Sequence, residues 1–158
     1  MTATTYAIAI GSNRRGRHGT PAREVAAAIA ALDGVIAVSP TIASAPIGPS
    51  TRRFANAAIL VRSPLTPPEM LRALKRIEAR FGRRPGRHWG ARVIDLDIVL
   101  WSGGKWRGRG LRVPHVAFRA RAFVLVPLRS IAPEWRDPVT GRTVRQLARM
   151  VDRPRAHP

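Results

Sequence analysis

His88-Trp89-Gly90-Ala91-Arg92-Val93-Ile94-Asp95-Leu96-Asp97-Ile98-Val99-Leu100 sets how the rest of the chain is read. Val93 to Leu100 is aliphatic and β-branched apart from its two acids. It lacks Gly and Pro and is bounded by Gly90 and by Ser102-Gly103-Gly104, which predicts a strand. Side chains alternate along a strand, so Asp95, Asp97 and Val99 share one face while Leu96, Ile98 and Leu100 turn to the core. The two aspartates are then roughly 7 Å apart at Cα. Two like charges on one face repel unless something positive lies between or beside them. Mg²⁺ suits such a pair, because it takes oxygen ligands and is often held by one or two carboxylates together with substrate phosphates. Arg92 stands just before the acids, with Arg83, Arg84 and Arg87 upstream. Carboxylates, a hard cation and guanidinium forks together point to a polyphosphate substrate. The alternative for these residues alone is an edge strand whose solvated Asp-x-Asp face is paired by surface arginines.

Working outward, 158 residues suffice for one domain with a substantial core, spanning 1–158 with 152–158 as a loose tail. The chain has no cysteine, which removes disulfides, thiolate metal sites and thiol nucleophiles from consideration. No stretch approaches a membrane span, and the N-terminus lacks the basic and apolar blocks of a signal peptide, so a cytoplasmic protein is expected. Lys+Arg number 28 against 9 Asp+Glu, a formal net charge of +19. A field of that size attracts polyanions. Only Lys75 and Lys105 are lysines, and the arginines run from Arg14 to Arg155. That spread suggests a compositional bias towards Arg and weakens a nucleic-acid reading. The expectation is a monomer acting on small molecules, without membrane or nucleic-acid partners.

In chain order, Tyr6–Ile10 is an apolar strand, and Gly11-Ser12-Asn13 reads as a turn whose amides could meet a ligand. Thr20-Pro21 starts a helix that runs to about Leu32. Val35–Ala45 is a strand interrupted at Pro40, followed by a rigid Pro46-Ile47-Gly48-Pro49 loop. Phe54–Arg62 is a strand with Phe54, Asn56 and Ala58 on one face. Asn56 sits among apolar residues, where a buried amide needs hydrogen bonds. It either satisfies a nearby loop or reads a planar heterocycle on which Phe54 could stack. Thr66-Pro67-Pro68-Glu69 is a capping box opening a helix to Phe81. Glu78 flanks the apolar stripe of that helix, placed to pair with Lys75 or to point at the site. Gly82–Trp89 is a basic loop that could close over phosphates. Ser102–Gly110 reads as a hairpin, Ala120–Arg129 as a short helix kinked or ended by Pro127, and Thr143–Val151 as a last helix. The order strand, helix, strand, strand, helix, strand predicts an α+β ferredoxin-like sandwich: an antiparallel sheet with helices packed on one face of it.

Several of these segments carry a resemblance. Gly11-Ser12-Asn13, Pro46-x-Gly48-Pro49, Phe54-x-Asn56-Ala57-Ala58, Trp89-Gly90-x-Arg92-x-x-Asp95-Leu96-Asp97, Val113-Pro114-His115 and Arg121-x-Phe123 with Pro127 and Ile131-Ala132-Pro133 resemble the 6-hydroxymethyl-7,8-dihydropterin pyrophosphokinases of folate biosynthesis. The match runs in order from about Tyr6 to Met150. The resemblance implies transfer of the β,γ-diphosphate of ATP to the pterin hydroxymethyl group, leaving AMP. It implies two Mg²⁺ ions held by Asp95 and Asp97, with Asp97 the candidate for helping to deprotonate the hydroxyl. Arg83 and Arg92 match phosphate-contacting arginines. His115, Arg121, Glu78 and Trp89 fall on the nucleotide and phosphate side. Phe54 and Phe123 match the aromatic pair around the pterin, Asn56 the amide that reads its edge, and Ser44, Pro46 and Ile47 the loop that completes the ring contacts. His88, Ala91, Val116 and Ser130 depart from residues common in the family, at positions that bear on loop closure and nucleotide affinity. Two other readings follow from the same residues: an Arg-rich nucleic-acid binder on a ferredoxin-like scaffold, and a relative that uses another pterin-like acceptor.

Overall fold

The computed structural model describes residues 2–44, 53–82 and 93–152. Five strands form the main sheet: β1 (Thr4–Ser12), β2 (Val35–Val38), β3 (Ile42–Ser44), β4 (Phe54–Ser63) and β5 (Asp95–Trp101). Their order is β2-β4-β1-β5, with β3 also on β4, and every pairing is antiparallel. The first helix, α1 (Pro21–Ala30), joins β1 to β2, and α2 (Pro67–Arg80) lies between β4 and β5. This is the ferredoxin-like arrangement expected from the element order. A short ribbon follows, β6 (Trp106–Gly108) with β7 (Leu111–Val113), and then α3 (Ala122–Ile131) and α4 (Val144–Val151).

Local chemistry accounts for the helix ends. Thr20 caps α1 through the Arg23 N–H, with Pro21 at the first helical position. Thr66 and Glu69 exchange hydrogen bonds in a complete capping box on α2, and Thr143 and Gln146 do the same on α4. Gly82, at φ +96°, ends the last turn of α2 in a conformation that favours glycine. Pro127 neither ends nor breaks α3, which continues to Ile131.

The helices cover both faces of the sheet, not one. Tyr6, Ile8, Ile10, Leu96 and Ile98 pack with Val25 of α1 and Met70, Leu74 and Ile77 of α2. On the other face Ala7, Ala58, Val99 and Leu100 pack with Leu125 and Leu128 of α3 and Leu147 of α4. The hydrophobic run 96–100 serves both clusters because β5 carries a bulge. Ile8 pairs with Ile98 but Ala7 pairs with Leu100, leaving Val99 as the extra residue. A shift of one residue reverses the alternation. Leu100 therefore leaves the face of Leu96 and Ile98 and joins Val99 on the other.

Candidate active site

Sheet register builds the floor. Gly11 is paired with Asn56 on β4 to one side and with Asp95 on β5 to the other. One step along, Ala9 lies between Ala58 and Asp97. Asn56 and Asp95 therefore stand in one row across the sheet, two strand spacings or roughly 10 Å apart. Gly11 and Ser12 belong to β1, which corrects the expectation of a turn there. The pairing is continuous as far as Ser12–Ala55, so their amides serve the sheet. A Cβ on Gly11 would come within 3.2 Å of the Asn56 Oδ1. The gap at Gly11 keeps the amide beside it in place.

Above this row is a cavity of about 370 Å³ lined by Ser44, Phe54, Asn56, Asp95, Asp97, Arg121 and Phe123, with Gly11 in its floor. Asn56 is 4% exposed and donates from Nδ2 to the Ser44 Oγ at 2.8 Å. It thus satisfies a neighbouring strand and also lines the cavity. Its Oδ1 remains an acceptor with a fixed direction. Phe54 comes from β4 and Phe123 from the first turn of α3, so the aromatic residues reach the cavity from different layers. The Arg121 guanidinium lies 5.6 Å from the Phe123 ring centre, a cation–π distance.

A second cavity, of about 270 Å³, lies on the other side of the acids. Asp95 and Asp97 line it too, with Lys75, Glu78, Arg112 and His115. The acid pair is shared by both spaces. Asp97 is exposed and Asp95 half-buried. Three or more His, Cys, Asp or Glu placed to hold a metal are not found among the described residues. The donors present are thus a carboxylate pair that lines both cavities, which fits a hard divalent cation that completes its shell with substrate oxygens and water.

Two hydrogen bonds hold β5, whose outer edge has no strand partner among the described residues. The buried Glu78 carboxylate accepts the Leu96 N–H at 2.9 Å, between the two acids. The Val99 carbonyl at the bulge accepts the His115 N–H at 3.0 Å, bringing Val113-Pro114-His115 against the strand. The His115 Nδ1 accepts the Ala117 N–H at 3.1 Å, which places the proton of the neutral ring on Nε2. Burial lowers the pKa of His115; the charge of Asp97 opposes the shift and that of Arg121 adds to it.

Among the residues expected at a site, Ser44, Phe54, Asn56, Glu78, Asp95, Asp97, His115, Arg121 and Phe123 line these two cavities. Pro46, Ile47, Arg83, Trp89 and Arg92 lie outside the described residues, as do His88 and Ala91. Sequence reasoning missed Arg112 and Leu71, which also line the second cavity. Leu71 borders the apolar stripe of α2 and Arg112 is one arginine among many, so neither gave a signal. It missed Glu24 as well. This buried carboxylate accepts the His18 N–H at 2.7 Å and lies 2.8 Å from the His18 Nδ1, tying the loop before α1 to that helix. An acid at position 24, within the apolar stripe, was its only trace.

An antiparallel sandwich whose surface acid pair borders an aromatic cleft on one side and a cleft of mixed charge on the other has the layout of a two-substrate transferase. The family model for 7,8-dihydro-6-hydroxymethylpterin-pyrophosphokinase matches residues 7–133. The chain belongs to this family. It is 38% identical over 146 residues to a 2-amino-4-hydroxy-6-hydroxymethyldihydropteridine pyrophosphokinase of Pseudomonas aeruginosa, a match covering 89% of this chain and 87% of that protein. A protein of the same name from Synechocystis is 41% identical over 105 residues, and the match covers 66% of this chain and 54% of its own length. In three dimensions the chain is similar to the wild-type HPPK-DHPS of Plasmodium falciparum. The TM-score is 0.71 at 15% identity, over 94% of this chain and 41% of that one, a likeness of fold.

Proposed function

We propose that the chain transfers the β,γ-diphosphate of ATP to the hydroxymethyl group of 6-hydroxymethyl-7,8-dihydropterin, giving AMP and the pterin diphosphate, in folate biosynthesis. The observation that carries this is the acid pair common to two cavities, in a chain whose family bears that activity in its name. The aromatic cleft takes the pterin. Phe54 and Phe123 flank the ring, and the Asn56 amide, held by Ser44, reads its polar edge. The row from Asn56 to Asp95 suits a bicyclic ring with a one-carbon arm, so the hydroxyl reaches the acids. The second cleft takes ATP, with His115 presenting the Nε2 proton as a donor and Lys75 and Arg112 supplying positive charge. Arg121, half-buried beside Phe123, faces the phosphates passing between the clefts.

In the transfer the pterin oxygen attacks the β-phosphorus. The new O–Pβ bond forms as the bond between Pβ and the bridging α,β-oxygen breaks, and AMP leaves with that electron pair. The hydroxyl proton is lost, and Asp97, the more exposed acid, is the proposed acceptor. Asp95 and Asp97 would hold the Mg²⁺ ions, two in this reading, which would neutralise the triphosphate and align the displacement. Arg83, Arg92 and Trp89, which precede β5 in the chain, complete the proposal together with Pro46 and Ile47, which precede β4. Residues 1–158 act as one domain, as a monomer and in the cytoplasm.

The test is AMP formation from ATP with the pterin, in Mg²⁺ and in excess chelator. AMP that requires both pterin and Mg²⁺ is expected. No AMP from a folded protein that still binds ATP would overturn the assignment of acceptor and favour a different pterin-like alcohol.

A further inference from the structure

Apart from Arg112, the charge on and beside the β6–β7 ribbon has no part in the proposed transfer. Arg107 and Arg112 are directly opposite each other in its register. Like charges in that position destabilise a two-stranded ribbon unless an anion lies between them. Lys105 immediately precedes β6. All three side chains are exposed, and none of them has an ion-pair partner among the described residues. Arg119 lies on the same side, but Asp137 neutralises it through two hydrogen bonds, at 2.5 and 2.8 Å. The Asp137 carboxylate also accepts from Val139 and Thr140, so it does not serve the ribbon.

These cations surround a cavity of about 480 Å³ that also contains Val116 and Val139. Those valines are 64% and 59% exposed, an unusual apolar surface between guanidiniums. Arg112 and Val116 line this cavity and the cavity assigned above to ATP, so the two spaces adjoin.

We infer that the ribbon forms an accessory site for the phosphate group of a small anion, next to the nucleotide cleft and separate from the transferred phosphates. Lys105, Arg107 and Arg112 take the phosphate oxygens through charge-assisted hydrogen bonds. Val116 and Val139 offer a wall to any apolar part the anion carries. The shared Arg112 couples the two sites: an anion on the ribbon draws this side chain from the nucleotide, and binding at one site alters affinity at the other to the same degree. The inference uses the proposed function only to name the neighbouring cleft; the anion site rests on the cations alone.

The test is calorimetric titration of the full chain, first saturated with Mg²⁺ and a non-hydrolysable ATP analogue. AMP is titrated in one arm and inorganic pyrophosphate in the other. A further binding event is expected in at least one arm, and which arm shows it identifies the source of the phosphate. The double variant Lys105→Gln/Arg107→Gln should weaken that event at least tenfold and leave the affinity for the ATP analogue within about twofold, because neither residue lines the nucleotide cleft. Arg107→Gln alone removes the cross-strand repulsion, so it should melt no lower than the parent in phosphate-free buffer and should lose the rise in melting temperature that phosphate gives the parent. If the analogue does not bind, the same titrations on the free protein still report the ribbon through the double variant. That separates failure of the proposed function from failure of this site. No second event in either arm, or an event unchanged in the double variant, would overturn the inference. So would a single-stranded oligonucleotide that displaces both anions and binds more tightly, which would reassign the ribbon to nucleic acid.

Discussion

Asp97 lines both clefts, and in the proposed reaction its loss would weaken the hold on the Mg²⁺ that offsets the triphosphate charge. Asp97→Ala should lower kcat by several orders of magnitude with little change in melting temperature. Full activity in that variant would remove the acid from the mechanism. Gly11 acts more subtly. A methyl group there meets the Asn56 Oδ1 at 3.2 Å, so Gly11→Ala must shift the amide by a few tenths of an ångström. The expected result is a severalfold higher KM for the pterin at nearly unchanged KM for ATP, read from steady-state kinetics. His115 offers a pH test with a definite sign. Burial holds its pKa below the usual 6.5, while Asp97 pulls it up and Arg121 pushes it down. The ring is therefore neutral at pH 7 and gains its proton only in more acidic solution. An NMR titration should give a midpoint under 6.5, lower still in Asp97→Asn and higher in Arg121→Gln. A midpoint above 6.5 in the parent would contradict the burial.

At the scale of elements, the outer edge of β5 and the turn after α3 are each held by one carboxylate. The Glu78 carboxylate on α2 fixes β5 by accepting the Leu96 N–H, the amide between the two acids. Glu78→Ala would leave that buried donor unpaired, which costs about 1–3 kcal/mol. Glu78→Gln keeps an acceptor oxygen and should recover most of the stability in a denaturant melt. The second carboxylate, Asp137, ties the turn after α3 to Arg119. Burial tends to raise its pKa, but the hydrogen bonds from Arg119, Val139 and Thr140 outweigh this and bring it down from 3.8 to about 2. A pKa depressed on folding stabilises the protein above the unfolded value, and the contribution is lost as pH falls through the folded one. The shift corresponds to about 2 kcal/mol near neutral pH, disappearing between about pH 4 and 2. Stability measured against pH should show that loss in the parent, and Asp137→Asn should be less stable at pH 7 and flatter across the window.

For the whole molecule, a formal charge of +19 on 158 residues means self-repulsion in the folded state. Raising NaCl from about 10 to 150 mM brings the screening length from about 30 to 8 Å, so the melting temperature should rise with salt. A melting temperature that falls with salt would mean that the arginines are arranged to attract rather than repel. The same scale explains how far the site could be read in advance. The acids and Asn56 stood out because each breaks a strand pattern that is otherwise regular, and Phe54 because it shares a strand face with Asn56; Phe123, on a helix, came only with the family resemblance. Arg112, Glu24 and the cavity under the ribbon did not, because their meaning depends on neighbours far along the chain.

The sequence by itself determined the order of elements, the capped starts of α1 and α2, and the presence of two acids on one face of a strand. These follow from local rules: period, capping chemistry and the bounds set by Gly and Pro. Only the tertiary structure decided that the helices cover both faces and that the bulge at Val99 sends Leu100 to the second cluster. It alone set Asn56, Gly11 and Asp95 in one row, and placed Glu78 on the Leu96 amide. Those facts are matters of register between strands and of which helix meets which edge. They are fixed by burying both faces of the sheet at once, a condition that no single segment carries in its own residues.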